Sequence, residues 1–408
     1  HGGFGSVNMA AAGIYTMGGA FWEFGQPDWD HTKLFMLFGV AEDHDSNPIK
    51  MGIGKIKARG AKVIGVNPIR SGYNAVADDW VGITPGTDGL FILALVHELL
   101  KAGKIDLNYL AQYTNAPVLL DAETGLLLRD GDGKQLVIDR ITKKPAPFDQ
   151  KSVKPDLNGS HLLRGITHRT VFHHLIERYL DPQYAPEAIA NKVGISAGRI
   201  RALANELARV AFEEAFELDQ KWTDFRGDTH AKMTGRPVSF HAMLGLSAHS
   251  NGFQTCRALH ILQILLGTVE VPGGFRFKPP YPKPPEAHPR PQSKAAPGKP
   301  LNGPHLGFVH GPEDLALKDD GSPARIDKAF SWEHPFSSHG LMHMVISNAH
   351  AGDPYKIDTL FMYMANMSWN SSMNTSGVID MLTDTDESGD YVIPNIIYSD
   401  AYSSEMVA

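Results

Sequence analysis

Residues 34–89 read LFMLFGVAEDHDSNPIKMGIGKIKARGAKVIGVNPIRSGYNAVADDWVGITPGTDG. Two short apolar runs, Leu34–Phe38 and Lys62–Val66, flank a segment rich in Lys and small residues with helix-like spacing. Both runs are continuous rather than alternating, as in parallel strands buried on two faces beneath helices, so the stretch predicts a strand, helix, strand unit. Each strand ends in a polar loop. Gly39, Glu42, Asp43, His44, Asp45, Ser46, Asn47 and Pro48 follow the first, and Asn67, Pro68 and Arg70 follow the second. Open α/β sheets bind ligands beyond the carboxyl ends of their strands, so both loops lie where a nucleotide-like ligand sits. The turn Pro85-Gly86-Thr87-Asp88 supplies a bend and a helix cap before a helix over 90–100. A ligand-free βαβ unit with well-capped helices is the plain alternative. The absence of GxGxxG and of GxxxxGK[ST] counts against an ordinary dinucleotide or P-loop site.

The chain of 408 residues is 42% hydrophobic, enough for two or more cores. Its formal net charge of −7 argues against a general nucleic-acid binder. It opens on His1-Gly2-Gly3 and closes on Val407-Ala408 just after a strand-like run, which we read as an interior piece of a longer polypeptide. A lone cysteine, Cys256, rules out an internal disulfide and a cysteine-held zinc or iron–sulfur site within these residues, and its setting suggests a packed thiol.

Around the opening unit, residues 1–23 are rich in Gly, Ala and Met, suited either to close backbone approach to a large ligand or to helix packing. A short helix is expected over 106–113, followed by β-hairpins over 118–140 with turns at Glu123-Thr124-Gly125 and Asp130-Gly131-Asp132-Gly133, a surface insertion. Helices are expected over 170–180, after Pro186, and from a Ser196 cap. His173 and His174 are adjacent on the first of these, do not face each other, and are assigned a solvated or packing role. From Trp222 to Gly274 polar residues crowd beside a core-like helix over 259–266, forming either an internal network or a ligand lining. Residues 279–300 hold nine of the 27 prolines and predict an extended connection. His339 and His343 stand at helical spacing but lack an HExxH pattern. Then the opening theme returns: a buried strand over 358–365, the polar loop Asn366-Met367-Ser368-Trp369-Asn370, a helix near 378–382 and a strand near 391–397. The expected fold class is thus α/β and doubly wound, with mostly parallel sheets in two α/β units. The division is 1–160, a helical and irregular region over 161–278, a Pro-rich connection over 279–335, and a second α/β unit over 336–408.

The segments FGVAEDHDSNP, VNPIRSGYNAVADDW, PGTDG, SAHSNGFQTCRALHILQILLG…PGG and MANMSWNSSMN resemble the catalytic subunits of molybdopterin oxidoreductases, the dimethyl sulfoxide reductase superfamily. The resemblance covers essentially the whole chain but only about half of a typical catalytic subunit. Within the superfamily, WTDFRGDTHAKMTGRPVSFHAMLGLSAHSNGFQTC, FKPPYPKPP and MANMSWNSSMNTSG are most similar to membrane-associated sulfite dehydrogenases, with polysulfide or thiosulfate reductases and formate dehydrogenases as the competitors. The resemblance implies a bis(molybdopterin guanine dinucleotide) cofactor carrying molybdenum or tungsten. Gly39, Glu42, Asp45, Asn47, Asn67, Pro68, Arg70, Gly86 and Asp88 would hold one nucleotide end, and Asn366, Ser368 and Asn370 would help hold the other. His1, His249, Asn251 and Arg257 would form the shell around a small anionic sulfur substrate, with sulfite oxidised to sulfate. In many relatives a Cys, selenocysteine, Ser or Asp at the register of Gly5 bonds the metal. Glycine has no donor, which leaves a metal held only by pterin and oxo or hydroxo ligands, Ser6 as substitute ligand, or a different register. A 4Fe-4S cluster is expected in the missing upstream region. The partners implied are a membrane anchor and an iron–sulfur subunit, on the cytoplasmic side of a membrane. A homologue that keeps the fold as an inactive scaffold is the non-enzyme alternative.

Overall fold

The computed structural model describes residues 4–18, 25–40, 48–242, 244–249, 251–276, 345–352, 356–370 and 374–407. The Pro-rich stretch, His339 and His343 lie outside them. The chain divides into two compact units: His1–Glu23 with Ser247–Cys256 and Pro280–Ala408, and Phe24–Leu246 with Arg257–Pro279. The second unit therefore crosses the 160/161 boundary drawn from sequence.

The second unit is organised on β1 (Leu34–Phe38), α1 (Pro48–Ala58), β2 (Lys62–Val66) and β3 (Asp79–Val81). The expected βαβ unit is present, and every residue of β1 is buried. Phe35, Leu37 and Val63 pack with Ile49, Ile53 and Ile56 of α1 on one face. On the other, the Phe38 ring lies 6.3 Å from that of Phe91, on helix α2 (Asp88–Lys101). Burying each such side chain contributes about 2 kcal/mol, whereas an exposed ion pair such as Lys55 with Asp30 is screened by solvent and adds little. Apolar burial therefore sets this sheet.

Chain order continues through α3 (Leu107–Tyr113) and an antiparallel insertion of β4 (Leu119–Asp121), β5 (Leu136–Ile138), β6 (Pro145–Pro147), β7 (Ser160–Leu163) and β8 (Ile166–Thr170). The insertion is longer than the hairpins read over 118–140, because the turns at Lys143 and Arg164 place non-glycine residues at positive φ and carry no Asp-Gly signal. Helices α4 (Val171–Tyr179), α5 (Pro186–Val193) and α6 (Ala197–Ala208) follow the expected caps: Thr170 Oγ1 accepts from the His173 amide and Ser196 Oγ from that of Arg199. His173 and His174 sit half-exposed beside Glu177.

Strand β9 (Val238–Ala242) was not foreseen. It pairs in parallel with β1, so the sheet order is β9-β1-β2-β3. The alternation of Ser239 and His241 with Val238, Phe240 and Ala242 reads as half-exposed, yet all five are buried. Helix α7 (Gly252–Leu265) begins within one residue of Phe253, where the 253–259 stretch reads as the start of a buried helix, and encloses Cys256, which is buried as expected. Of the crowded polar residues, Asp224 accepts from the amides of Arg226 and Asp228 and from His230 Nε2 at 2.9 Å, and His230 stacks on Trp222. Those residues form an internal network rather than a ligand lining.

In the first unit a two-stranded parallel sheet pairs Thr359–Tyr363 with Asn395–Ser399, flanked by helices Val345–Ala351 and Thr375–Thr383. The strand expected to be buried alternates instead: Leu360 and Met362 are buried while Thr359, Phe361 and Tyr363 are exposed. A run of apolar residues does not reveal that only one face is covered.

Asp106 ties three parts of the second unit together. Its carboxylate accepts from the Tyr109 amide, capping α3, and from Arg236 Nε at 3.0 Å and an Arg236 terminal nitrogen at 2.6 Å, while its own amide donates to the Leu265 carbonyl. Both side chains are largely buried. Replacing Asp106→Ala strands the guanidinium and is expected to lower unfolding free energy by about 3 kcal/mol in urea titration. Adding Arg236→Met should recover part of the loss, since it removes the orphaned charge.

Candidate functional site

The four parallel strands place their carboxyl ends at one edge of the second unit. From β1 the chain turns toward β2 and β3, whereas β9 lies on the opposite side of β1. The order reverses between β1 and β9, and this is the position where open α/β sheets bind ligands. At that point Gly39, at φ +61°, faces Gly245: a Cβ on Gly245 would lie 2.3 Å from the Gly39 carbonyl oxygen. Backbone passes against backbone here, and no side chain fits. The carbonyl of Val40, just beyond Gly39, accepts from Asn74 Nδ2 at 2.8 Å. Asn74 reaches it because Gly65 of β2 has no Cβ, which would stand 2.1 Å from Asn74 Oδ1.

Asn67 and Arg70 follow β2, and Gly86 and Asp88 follow β3, so the structure brings these four to the ends of neighbouring strands. The Asn67 amide donates to the Val81 carbonyl, and its carbonyl accepts from Trp80 Nε1 at 3.0 Å. With its backbone satisfied, its side-chain amide makes no hydrogen bond among the described residues, and neither does the exposed Arg70 guanidinium. Pro68 is exposed beside them. Gly86 adopts φ +78°, and Asp88, buried, occupies the first turn of α2. The expected cap differs in detail: the Thr87 hydroxyl donates back to the Thr84 carbonyl instead of accepting from the helix. Glu42, Asp45 and Asn47 lie outside the described residues.

Sequence reasoning named His241 only among crowded polar residues and passed over Ser239. Both are at most 1% exposed, on one face of β9, and neither ring nitrogen of His241 nor the Ser239 hydroxyl has a hydrogen-bond partner among the described residues. Burial depresses the imidazole pKa to about 4. Orphaned buried polar atoms of this kind ask for a ligand or ordered water. A strand pattern broken by Ser and His was the available signal.

In the first unit, helix Phe4–Met17 carries Gly5, buried, and Asn8. Asn8 Nδ2 donates to the carbonyls of Ser247 at 2.8 Å and His249 at 3.3 Å, fixing the turn that opens α7. This residue also escaped the sequence reading, although a lone Asn in a Gly- and Ala-rich helix marks it. His249 is half-buried, Asn251 exposed, and Arg257 half-buried within α7. His1 and the Ser6 side chain lie outside the described residues. In the loop after Tyr363, Asn366 Oδ1 accepts from Ser368 Oγ at 2.9 Å and its Nδ2 donates to Glu405, so this pair is already self-bonded. The Asn370 side chain lies outside the described residues. No cluster of three or more His, Cys, Asp or Glu suited to a metal occurs among the described residues.

At the carboxyl ends of a parallel sheet, where ligands bind in this architecture, the loops thus carry an amide and a guanidinium without a hydrogen bond among the described residues, beside a glycine-lined crossing. The chain belongs to the molybdopterin oxidoreductase family, whose model matches residues 4–279. It is 49% identical to a sulfite dehydrogenase subunit from Allochromatium vinosum, over all of this chain and 44% of that relative. It is 24% identical to the formate dehydrogenase major subunit of Haemophilus influenzae, over 53% of this chain and 19% of the relative. Among solved structures, acetylene hydratase from Pelobacter acetylenicus aligns with a TM-score of 0.47 at 14% identity, covering 93% of this chain and 41% of that one. The chain thus spans less than half the length of these relatives.

His241 makes stability pH-dependent. Folded, it stays neutral down to about pH 4; unfolded, it binds a proton below its ordinary value of 6.5. The unfolded state then holds more protons, so stability is complete above pH 6.5 and falls as pH drops toward 4, by about 3 kcal/mol for this group. Urea titrations across that range should show a shallower fall for His241→Gln than for the parent.

Proposed function

We propose that the full-length protein is the catalytic subunit of an oxidoreductase that carries molybdenum or tungsten on bis(molybdopterin guanine dinucleotide) and oxidises sulfite to sulfate. The observation that carries this reading is the 49% identity, over the whole chain, to a sulfite dehydrogenase. The residues present fit such a group: the Gly39–Gly245 crossing keeps side-chain bulk out of the strand-end loops, and the Asn67 side-chain amide and the Arg70 guanidinium make no hydrogen bond among the described residues. Arg70 and Asn67 would hold one nucleotide end, the guanidinium offering charge-assisted bonds to phosphate and the amide neutral hydrogen bonds. Gly86 and Asp88 shape the neighbouring loop, and Asn366, Ser368 and Asn370 serve the second nucleotide. The bound metal supplies two-electron redox chemistry at the substrate sulfur. The protein binds and orients the anion, a role we assign to His249, Asn251 and Arg257 with His1. Converting sulfite to sulfate adds one water oxygen and releases two protons and two electrons. The two electrons would be taken up by a 4Fe-4S cluster upstream of these residues and by an iron–sulfur subunit, held with a membrane anchor on the cytoplasmic side of the membrane. At the register of Gly5 the chain would offer the metal no side-chain donor, leaving pterin and oxo or hydroxo ligands alone, Ser6 as substitute ligand, or a different register.

Elemental analysis of full-length protein should find one molybdenum or tungsten atom per chain, and metal-free protein that binds ATP would overturn the reading. With an artificial electron acceptor, sulfite should be oxidised; turnover of formate alone would reassign the substrate. Arg70→Ala should retain the cofactor about tenfold less well, the loss of one charge-assisted contact, with an unchanged circular dichroism spectrum.

A further inference from the structure

The antiparallel insertion carries a surface that the molybdenum chemistry does not use. The segment 127–129 runs antiparallel to both β4 and β5: Leu120 bridges Leu127, Arg129 bridges Gln135, and the Leu136 amide donates to the Leu128 carbonyl. Strands β4 and β5 therefore run the same way. Strand β8 is antiparallel to β4 and to β7, so β7 shares that direction. The turns after β4, β5 and β7 consequently emerge at one end of the insertion.

Two of those turns combine cations with bare aliphatic side chains. The turn after β5 is Asp139-Arg140-Ile141-Thr142-Lys143-Lys144, with Ile141 71% exposed. The turn after β7 centres on Arg164, with Leu162 73% and Ile166 44% exposed on either side. The Asp139 carboxylate is turned inward, accepting from the amides of Ile141, Thr142 and Lys154. Of the four cations only Lys143 has an acidic partner, Asp156 at 3.6 Å; Arg140, Lys144 and Arg164 make no ion pair among the described residues. The third turn adds one exposed acid, Glu123. The Asp121 and Asp139 carboxylates are taken up by backbone amides and Asp156 by Lys143, so three cations without an ion pair among the described residues stand beside one exposed acid.

We propose that this end of the insertion docks on an anionic lipid surface. The apolar groups are aliphatic and stand at protruding turns, where they can enter the boundary between headgroups and acyl chains while the Lys and Arg stems reach back to the phosphates. Protein docking sites are enriched in aromatic side chains, and none stands on these turns. Membrane attachment through this face places the catalytic chain directly against the bilayer and does not depend on the identity of the substrate or metal.

Co-sedimentation of the full chain with vesicles of one part phosphatidylglycerol to two parts phosphatidylcholine tests it. Binding should be strong at low salt and absent with phosphatidylcholine alone. Lys143→Asn with Arg164→Asn neutralises two cations with a residue that tolerates their positive φ, at +57° and +53°. This pair should weaken binding at least about tenfold. Ile141→Ser with Leu162→Ser should weaken it without altering its salt dependence, and thermal melts should show all variants folded. No binding by the parent, or equal binding by the neutralised variant, overturns the proposal. So does a variant that keeps vesicle binding but loses an acidic protein partner in pull-down.

Discussion

At the crossing of Gly39 and Gly245, the main chain leaving β1 touches the main chain leaving β9, with less space between them than one methyl group needs. This constraint governs the rest of the second unit. It fixes how closely the two strand-end loops approach at the point where the strand order reverses, the position at which open α/β sheets bind ligands. It is supported from behind by the Asn74 bond to the Val40 carbonyl, which requires a second glycine, Gly65, in the neighbouring strand. Three residues without side-chain bulk thus shape the strand ends beside which Asn67 and Arg70 stand.

Stability and function divide cleanly across this architecture. The sheet is held by apolar burial on both faces, and the buried Asp106–Arg236 pair locks the irregular segments around it. Two polar groups inside β9 detract from that stability. His241 and Ser239 sit without partners among the described residues, in an interior where an unmatched polar group costs about 1–3 kcal/mol. Groups of this kind are relieved by a ligand or by ordered water. Each compact unit carries its own set of strand-end polar residues, and the set in the first unit is self-bonded through Asn366, Ser368 and Glu405.

Much of this was legible beforehand. The βαβ unit, the helices over 171–208 with their Thr170 and Ser196 caps, the packed Cys256 and the strand-end placement of Asn67, Arg70, Gly86 and Asp88 all follow from local pattern. What escaped depended on partners distant in sequence. Strand β9 lies about two hundred residues from β1, and its Ser and His disguise a fully buried strand as a half-exposed one. Asn8 acquires meaning only from the carbonyls of Ser247 and His249. The strand over 359–363 read as buried because composition does not say which of its faces is covered.

The sequence by itself determined the class of protein, because continuous apolar strands ending in polar loops, and the motifs in those loops, are local properties that need no partner to be recognised. Only the tertiary structure decided that β9 joins β1, that Gly39 and Gly245 touch, that His241 is buried without a partner among the described residues, and that the cationic turns of the insertion share one end. Each is a relation between residues far apart along the chain. The physical reason is that strand pairing and packing are fixed by the whole set of buried surfaces, whereas a turn, a cap or an apolar run is fixed by its neighbours alone.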